Sequence, residues 1–318
     1  MLPWIRMVGG LAVLAVLVWR LGTGPFLHGV RMIDGWALAA ALGIGALTTV
    51  CCAWRWCLVA RALHIRLPLG SAVAHCYRAT FLNATLPGGV LGDVHRAVSH
   101  GRDEGSLSRG VRAVTWERFA GQAVQAVLAL VILFALPSPV RSHMPSVALL
   151  VLAGGLGLVL LLWALSRRAR RDGTPDRVGG RSRLELALGT AVADIRDGLL
   201  ARRTWPGVVF ASAVVIAGHV ATFLVAARTA DATVAPLRLI PLAILALLAM
   251  SLPLNVGGWG PREGVAAWAF GAAGLTASAG IAVAVIYGAL VLVAALPGAG
   301  VLLVQRLARA PRRSAGQT

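Results

Sequence analysis

Long uncharged apolar runs alternate along the chain with short segments that carry Arg. Gly35 to Trp54, Phe119 to Leu136, Ser142 to Ser166 and Thr204 to Ala227 all lack Arg, Asp and Glu. Each is close to or above the roughly 20 apolar residues that a spanning helix needs. Leu239 to Pro261 and Gly264 to Gln305 are also uncharged, the latter long enough for two segments, and a shorter first run extends from about Trp4 to Leu21. Two-residue alternation is absent, which argues against a β-barrel. The pattern predicts an all-α, polytopic membrane helix bundle forming a single transmembrane domain over 1–318.

Composition agrees, since 58% of the 318 residues are hydrophobic and 13% are charged, and mean hydropathy is +0.78. Soluble domains carry about 25% charged residues. An ordinary cytosolic enzyme, a secreted disulfide scaffold and a disordered regulator are excluded. Cys51, Cys52, Cys57 and Cys76 form no CxxC pair and read as small buried hydrophobes. His75, His95, His143 and His219 lack metal-site spacing. No cofactor is expected, and the absence of Lys removes any GxxxxGK[ST] nucleotide loop.

The net charge of +18 comes from Arg alone. Because the Arg residues flank apolar runs, they read as membrane-border charge, and nucleic acid is not expected as a partner. With both termini and the segments 55–66, 96–112 and 167–203 on the cytoplasmic side, that side holds 22 Arg. The other side holds five, namely Arg20, Arg31, Arg141, Arg228 and Arg238. Short cytoplasmic loops accumulate positive charge, so this is the expected orientation. The basic loop 167–203, with an amphipathic surface segment at Leu184 to Leu200, and the tail 307–318 are then cytoplasmic. Trp4, Trp19, Trp36, Trp205 and Trp268 sit where an interfacial aromatic belt would place them.

This orientation leaves two apolar stretches that must enter and return by the same side: the one between Pro68 and Arg96, and Leu239 to Leu275. About six full spans plus two re-entrant broken hairpins follow, in an inverted repeat with halves of about 1–136 and 142–306. The hairpin tips echo each other. Leu86-Pro87-Gly88-Gly89 leads to Gly92, Asp93 and Arg96, while Leu252-Pro253-Leu254-Asn255-Val256-Gly257-Gly258 leads to Gly260, Arg262 and Glu263. In each, a Gly lies five residues after the Pro and an Arg nine after it. Paired Pro/Gly interruptions point to a transporter site, because broken backbone at membrane depth persists only against protein or a water-filled cavity.

Gly260, Pro261 and Glu263 suit a helix start, and Asp93 suits an N-cap. Arg96 and Arg262 offer fixed positive charge able to take phosphate through two hydrogen bonds. Asp93 and Glu263 are alternative partners for them. Asn83 and Asn255 read as caps for the broken backbone or as ligand contacts. Arg78, Glu117 and Arg118 could face the same cavity, although a Glu-Arg pair at a helix entrance also serves as an interfacial anchor.

Tyr77 to Arg96, with Phe81-Leu82-Asn83 and the Leu86 to Gly89 tip, then Glu117-Arg118, then Leu252 to Gly264, together resemble the transmembrane region of lysylphosphatidylglycerol synthases and related stand-alone flippase-like proteins. The likeness runs over about residues 5–306. It implies a bundle with re-entrant helices and a lipid-accessible cavity in a bacterial cell membrane, moving a lipid headgroup between leaflets. No soluble aminoacyl-transferase domain lies within these 318 residues, so synthesis of lysylphosphatidylglycerol is not expected. Leu91 stands where the pattern calls for Gly.

The resulting expectation is a non-enzymatic lipid translocase that binds an anionic or polyprenyl-phosphate headgroup at Arg78, Asn83, Pro87, Gly88, Gly89, Gly92, Asp93, Arg96, Glu117, Arg118, Asn255, Gly257, Gly258, Gly260, Arg262 and Glu263. A separate lipid-modifying enzyme is a candidate partner. The alternatives are an intramembrane lipid-modifying transferase using Asp93, His95 or Glu263 as base, and an accessory subunit of a cell-envelope lipid or glycan pathway.

Overall fold

The computed structural model describes residues 31–86, 90–103, 105–143, 145–146, 204–232, 234–251 and 259–309, with Trp19 and Gly24. Regular structure among them is helical: α1 (Gly35–Ala62), α2 (Leu69–Thr85), α3 (Leu91–Asp103), α4 (Leu107–Ala135), α5 (Trp205–Thr229), α6 (Pro236–Met250), α7 (Pro261–Ala272), α8 (Ala277–Ala295) and α9 (Pro297–Arg309). Local chemistry sets several starts. Asp34 accepts the Ala37 N–H at 2.8 Å to open α1, and Thr276 accepts the Ala279 N–H at 3.2 Å to open α8. Pro opens α6 and α7, where its missing N–H costs nothing.

α1, α4, α5 and the stretch Ala277–Gln305 are long and apolar enough to cross a membrane. At 1.5 Å per residue α1 rises about 42 Å, more than the roughly 30 Å hydrocarbon core. The remaining expected spans, Trp4 to Leu21 and Ser142 to Ser166, lie outside the described residues except for Trp19, 142–143 and 145–146, as does the whole of the basic loop 167–203. Of the tail expected at 307–318, residues 307–309 still belong to α9 and the rest lies outside the described residues.

Both Pro/Gly tips fall where helices stop. α2 and α3 run into the first tip and away from it, and α6 and α7 do the same at the second. None of these four reaches the length of a full span. Their arms are antiparallel. His75 near the start of α2 and His100 near the end of α3 flank the same Trp56 ring, with centroids 6.0 and 5.1 Å away. Likewise Arg238 at the start of α6 donates to the Ala273 carbonyl just past the end of α7, at 3.0 Å.

Gly92 explains how closely the first pair packs, because a Cβ there would collide with the Ala79 carbonyl on α2. Leu91, which stands where the family pattern calls for Gly, is exposed, and the close approach to α2 is made by Gly92. α8 forms the centre of the bundle, buried from Gly280 to Tyr287 and packed against α1, α2, α5 and α7. Phe223, Phe270 and Tyr287 meet there. Leu42, Leu47, Val127, Val131, Phe134 and Phe210 point outward, as a lipid-facing surface requires. Trp36, Trp205 and Trp268 are exposed too.

Overpacking a close helix contact costs about 1–3 kcal/mol or more. Gly92→Val should therefore lower the midpoint of thermal unfolding in detergent. Gly43→Ala, on an open face of α1, should leave it level or raise it, since Ala is favoured over Gly in a helix by about 1 kcal/mol.

Candidate functional site

The second arm of the first hairpin begins at the break, and its first turns carry Asp93 and Arg96 toward α1 and α4. Asn83, on the last turns of α2, accepts the Gly92 N–H at 2.8 Å and donates to Asp93 Oδ2 at 3.0 Å. It therefore caps broken backbone and positions a carboxylate at once. Asp93 lies inside α3, within its first turn, so the N-cap role expected for it is filled by Asn83 from outside the helix. Its oxygens face Arg118 at 2.5 Å and Arg96 at 3.4 Å.

Glu117 is fully buried (0% exposed). Its Oε1 accepts from Arg55 Nε at 2.9 Å and from a terminal nitrogen of the same guanidinium at 2.5 Å, while its Oε2 accepts from Arg96 at 2.5 Å. Arg55 also donates to Ser212 Oγ at 3.0 Å. Arg96, 2% exposed, lies over the Trp56 ring at 4.5 Å and donates to Cys76 Sγ at 3.4 Å. One ionic network therefore ties α1, α3, α4 and α5 together. Gly121, one turn beyond Glu117, makes room for it, because a Cβ there would sit 2.7 Å from the Arg55 guanidinium.

Two expectations are corrected. Arg55 is not loop charge: α1 continues to Ala62, and Arg55 is buried inside it. Glu117 is no interfacial anchor, because α4 starts at Leu107, well before the uncharged run does. The reason is common to both. Mutual neutralisation and hydrogen bonding let charged residues sit within a membrane helix, so charge alone does not mark its end. Without Arg55 and Arg96 the assigned cytoplasmic side still holds 20 Arg against five. A signal for Arg55 was present in the sequence, where it sits between Cys51-Cys52-Ala53-Trp54 and Trp56-Cys57-Leu58-Val59 without another charge nearby.

The second tip builds a smaller cluster. Gly260 has φ +108°, a conformation open to glycine, and its N–H donates to Glu263 Oε2 at 2.7 Å. The expected helix start is thus present. Glu263 also accepts from Arg262, whose Nε is 2.8 Å away. The Arg262 guanidinium lies between the Trp259 and Tyr287 rings, at 4.9 and 5.4 Å, in space left by Gly288. Tyr287 in turn contacts His219 Nδ1 at 2.9 Å.

Arg78 belongs to a third group, with His75 at 2.6 Å and Gln305 of α9 as partners. The structure thus gathers Asn83, Gly92, Asp93, Arg96, Glu117 and Arg118 in one place. Gly260, Arg262 and Glu263 gather in another. Among the described residues no hydrogen bond or ion pair joins these two clusters. Pro87, Gly88, Gly89, Asn255, Gly257 and Gly258 lie outside the described residues.

Removing one partner of a buried ionic network strands the others, at about 3–5 kcal/mol. Glu117→Ala should lose that much stability in detergent unfolding, with Glu117→Gln losing less because it keeps an acceptor. Arg118, 45% exposed in its pair with Asp93, should cost under about 1 kcal/mol as Arg118→Ala.

A comparison with curated proteins finds no match. The family model described as lysylphosphatidylglycerol synthase TM region matches residues 7–298. That match takes in both hairpins and both charged clusters, and the apolar helices around them make the protein membrane-embedded. The chain belongs to the lysylphosphatidylglycerol synthase transmembrane-region family.

Proposed function

We propose that the chain is a flippase-like lipid translocase that takes an anionic or polyprenyl-phosphate headgroup at the first hairpin and passes it between leaflets without altering it. One observation carries this reading: the Asp93–Arg96–Glu117 cluster is not neutral. Arg55, Arg96 and Arg118 face two carboxylates, which leaves one positive charge in excess beside a break in a membrane helix.

Arg118 is the member able to exchange partners. It is half exposed and held by Asp93, itself only slightly exposed. An incoming phosphate, which accepts two parallel hydrogen bonds from a guanidinium, competes with Asp93 for it. The α3 N-terminus adds a positive dipole end at the same place. Arg55 and Arg96, locked on Glu117, hold the frame around this exchange. Movement of the α2–α3 arm against the α6–α7 arm would supply alternating access, driven by a gradient, the membrane potential or mass action. A separate lipid-modifying enzyme is the proposed supplier or consumer of the lipid. Of the bases a transferase would use, Asp93 and Glu263 are both engaged by guanidinium groups and His95 contacts Ser99 Oγ at 3.4 Å; the engagement of both carboxylates favours transport over chemistry.

In liposomes with a fluorescent anionic phospholipid, the purified protein should speed leaflet exchange above the protein-free rate. Arg118→Ala should slow that exchange about tenfold, the loss of one charge-assisted hydrogen bond of roughly 1.5 kcal/mol, at an unchanged unfolding midpoint. Exchange at the protein-free rate, or a new lipid product formed without exchange, would overturn the proposal.

A further inference from the structure

A recess of mixed polar and apolar lining lies at the other end of α1 and α5 from the ionic network. It is a cavity of about 480 Å³ between the first turn of α1, the last turns of α5 and the start of α6. Along α1, Trp36 in this recess and Arg55 in the ionic network are 19 residues apart, about 28 Å of helix. The two places therefore sit at different depths of the bundle. In the orientation set by the Arg distribution, this recess opens on the non-cytoplasmic side.

Its wall combines Arg228 and Asp231 with Leu224, Val225 and Leu239. The two charges do not neutralise each other, because among the described residues neither forms an ion pair. The Arg228 guanidinium instead rests over the Trp36 ring at 5.4 Å. Asp231 is carried on a fixed turn: its N–H donates to the Arg228 carbonyl at 3.0 Å, and the Ala232 N–H donates to the Ala227 carbonyl at 3.0 Å. With φ +51°, Asp231 is in the left-handed region that few residues other than Gly tolerate. Trp36 is 56% exposed, as an indole at the membrane boundary would be.

We propose that this recess binds the headgroup of an aminophospholipid, Arg228 taking the phosphate and Asp231 the primary ammonium. The ligand class follows from the charge pattern. A cation and an anion held apart in one cavity match a zwitterion, whereas an anionic headgroup would meet Asp231 unfavourably. A carboxylate accepts hydrogen bonds from a primary ammonium, and a quaternary choline group has none to give. The aromatic face that would hold a choline by cation–π attraction is already covered by Arg228. Leu224, Val225 and Leu239 supply the apolar surface that the glycerol and first acyl carbons need. This site lies beyond the transport reading above, and its ligand differs from the anion proposed for the Arg118 cluster.

The test is lipid retention, read by native mass spectrometry after reconstitution in an equal mixture of phosphatidylethanolamine, phosphatidylglycerol and phosphatidylcholine. The wild-type protein should retain phosphatidylethanolamine at least about fivefold over the other two. Asp231→Asn should remove the preference over phosphatidylglycerol, and Arg228→Gln should lower retention of phosphatidylethanolamine and phosphatidylglycerol together. Both residues are exposed, and a control on unaltered protein accompanies them: N-acetyl-phosphatidylethanolamine, which keeps the phosphate but has no ammonium, should lose the preference. Equal retention of phosphatidylethanolamine and its N-acetyl form by the wild type would overturn the proposal, as would an unchanged preference in Asp231→Asn. Retention is read without transport, so selective binding in a protein that gives no leaflet exchange would keep this site and sink only the translocase reading.

Discussion

The contact on which the structure depends is the Glu117 carboxylate, buried and shared between Arg55 and Arg96. An isolated charge at membrane depth costs several kcal/mol on any scale, and three such residues are tolerated only because each satisfies the others. The consequence is geometric. α1, α3 and α4 must keep their spacing to within a hydrogen bond, and Ser212 extends the constraint to α5. Gly92 and Gly121 follow from the same requirement, one letting α3 lie on α2 and the other letting the Arg55 guanidinium reach its partner.

Helix association in lipid gains little from the hydrophobic effect, since the surrounding chains are as apolar as Leu. Close packing of small residues and buried polar contacts take its place. Both are concentrated where the hairpins meet the long helices. Asn83 caps the first break, and Glu263 caps the second while neutralising Arg262. The starts of α3 and α7 are thus held by the side chains that give these two clusters their charge. Stability and the proposed ligand chemistry draw on one set of residues, with Arg118 the member least committed to structure. At the far end of α1 and α5, Arg228 and Asp231 show the opposite arrangement, with charges kept apart rather than joined.

Much of this was legible in the linear sequence. Uncharged runs located α1, α4, α5 and α8, because the bilayer imposes a length and a composition on any helix that crosses it. The Pro/Gly tips located the two interruptions, because neither residue continues a helix easily. The pairing of Glu263 with Arg262 was readable from adjacency and helix-start chemistry. Asn83 was readable as a cap for the same local reason.

Partners that meet across helices were not readable in that way. From sequence Arg55 reads as loop charge and Glu117 as either a cavity residue or an anchor, because a charged residue inside a span looks like its end until a counter-ion from another helix is known. Arg55 and Glu117 are 62 residues apart in sequence, and no periodicity encodes that distance. The sequence alone determined which described segments are long and apolar enough to cross a membrane and where α2 and α6 stop, both of which are set by solvent and local sterics. Only the tertiary structure decided which charges neutralise one another, which remain in excess and which stand separate, because burial of an ion pair is a property of packed helices and not of either residue.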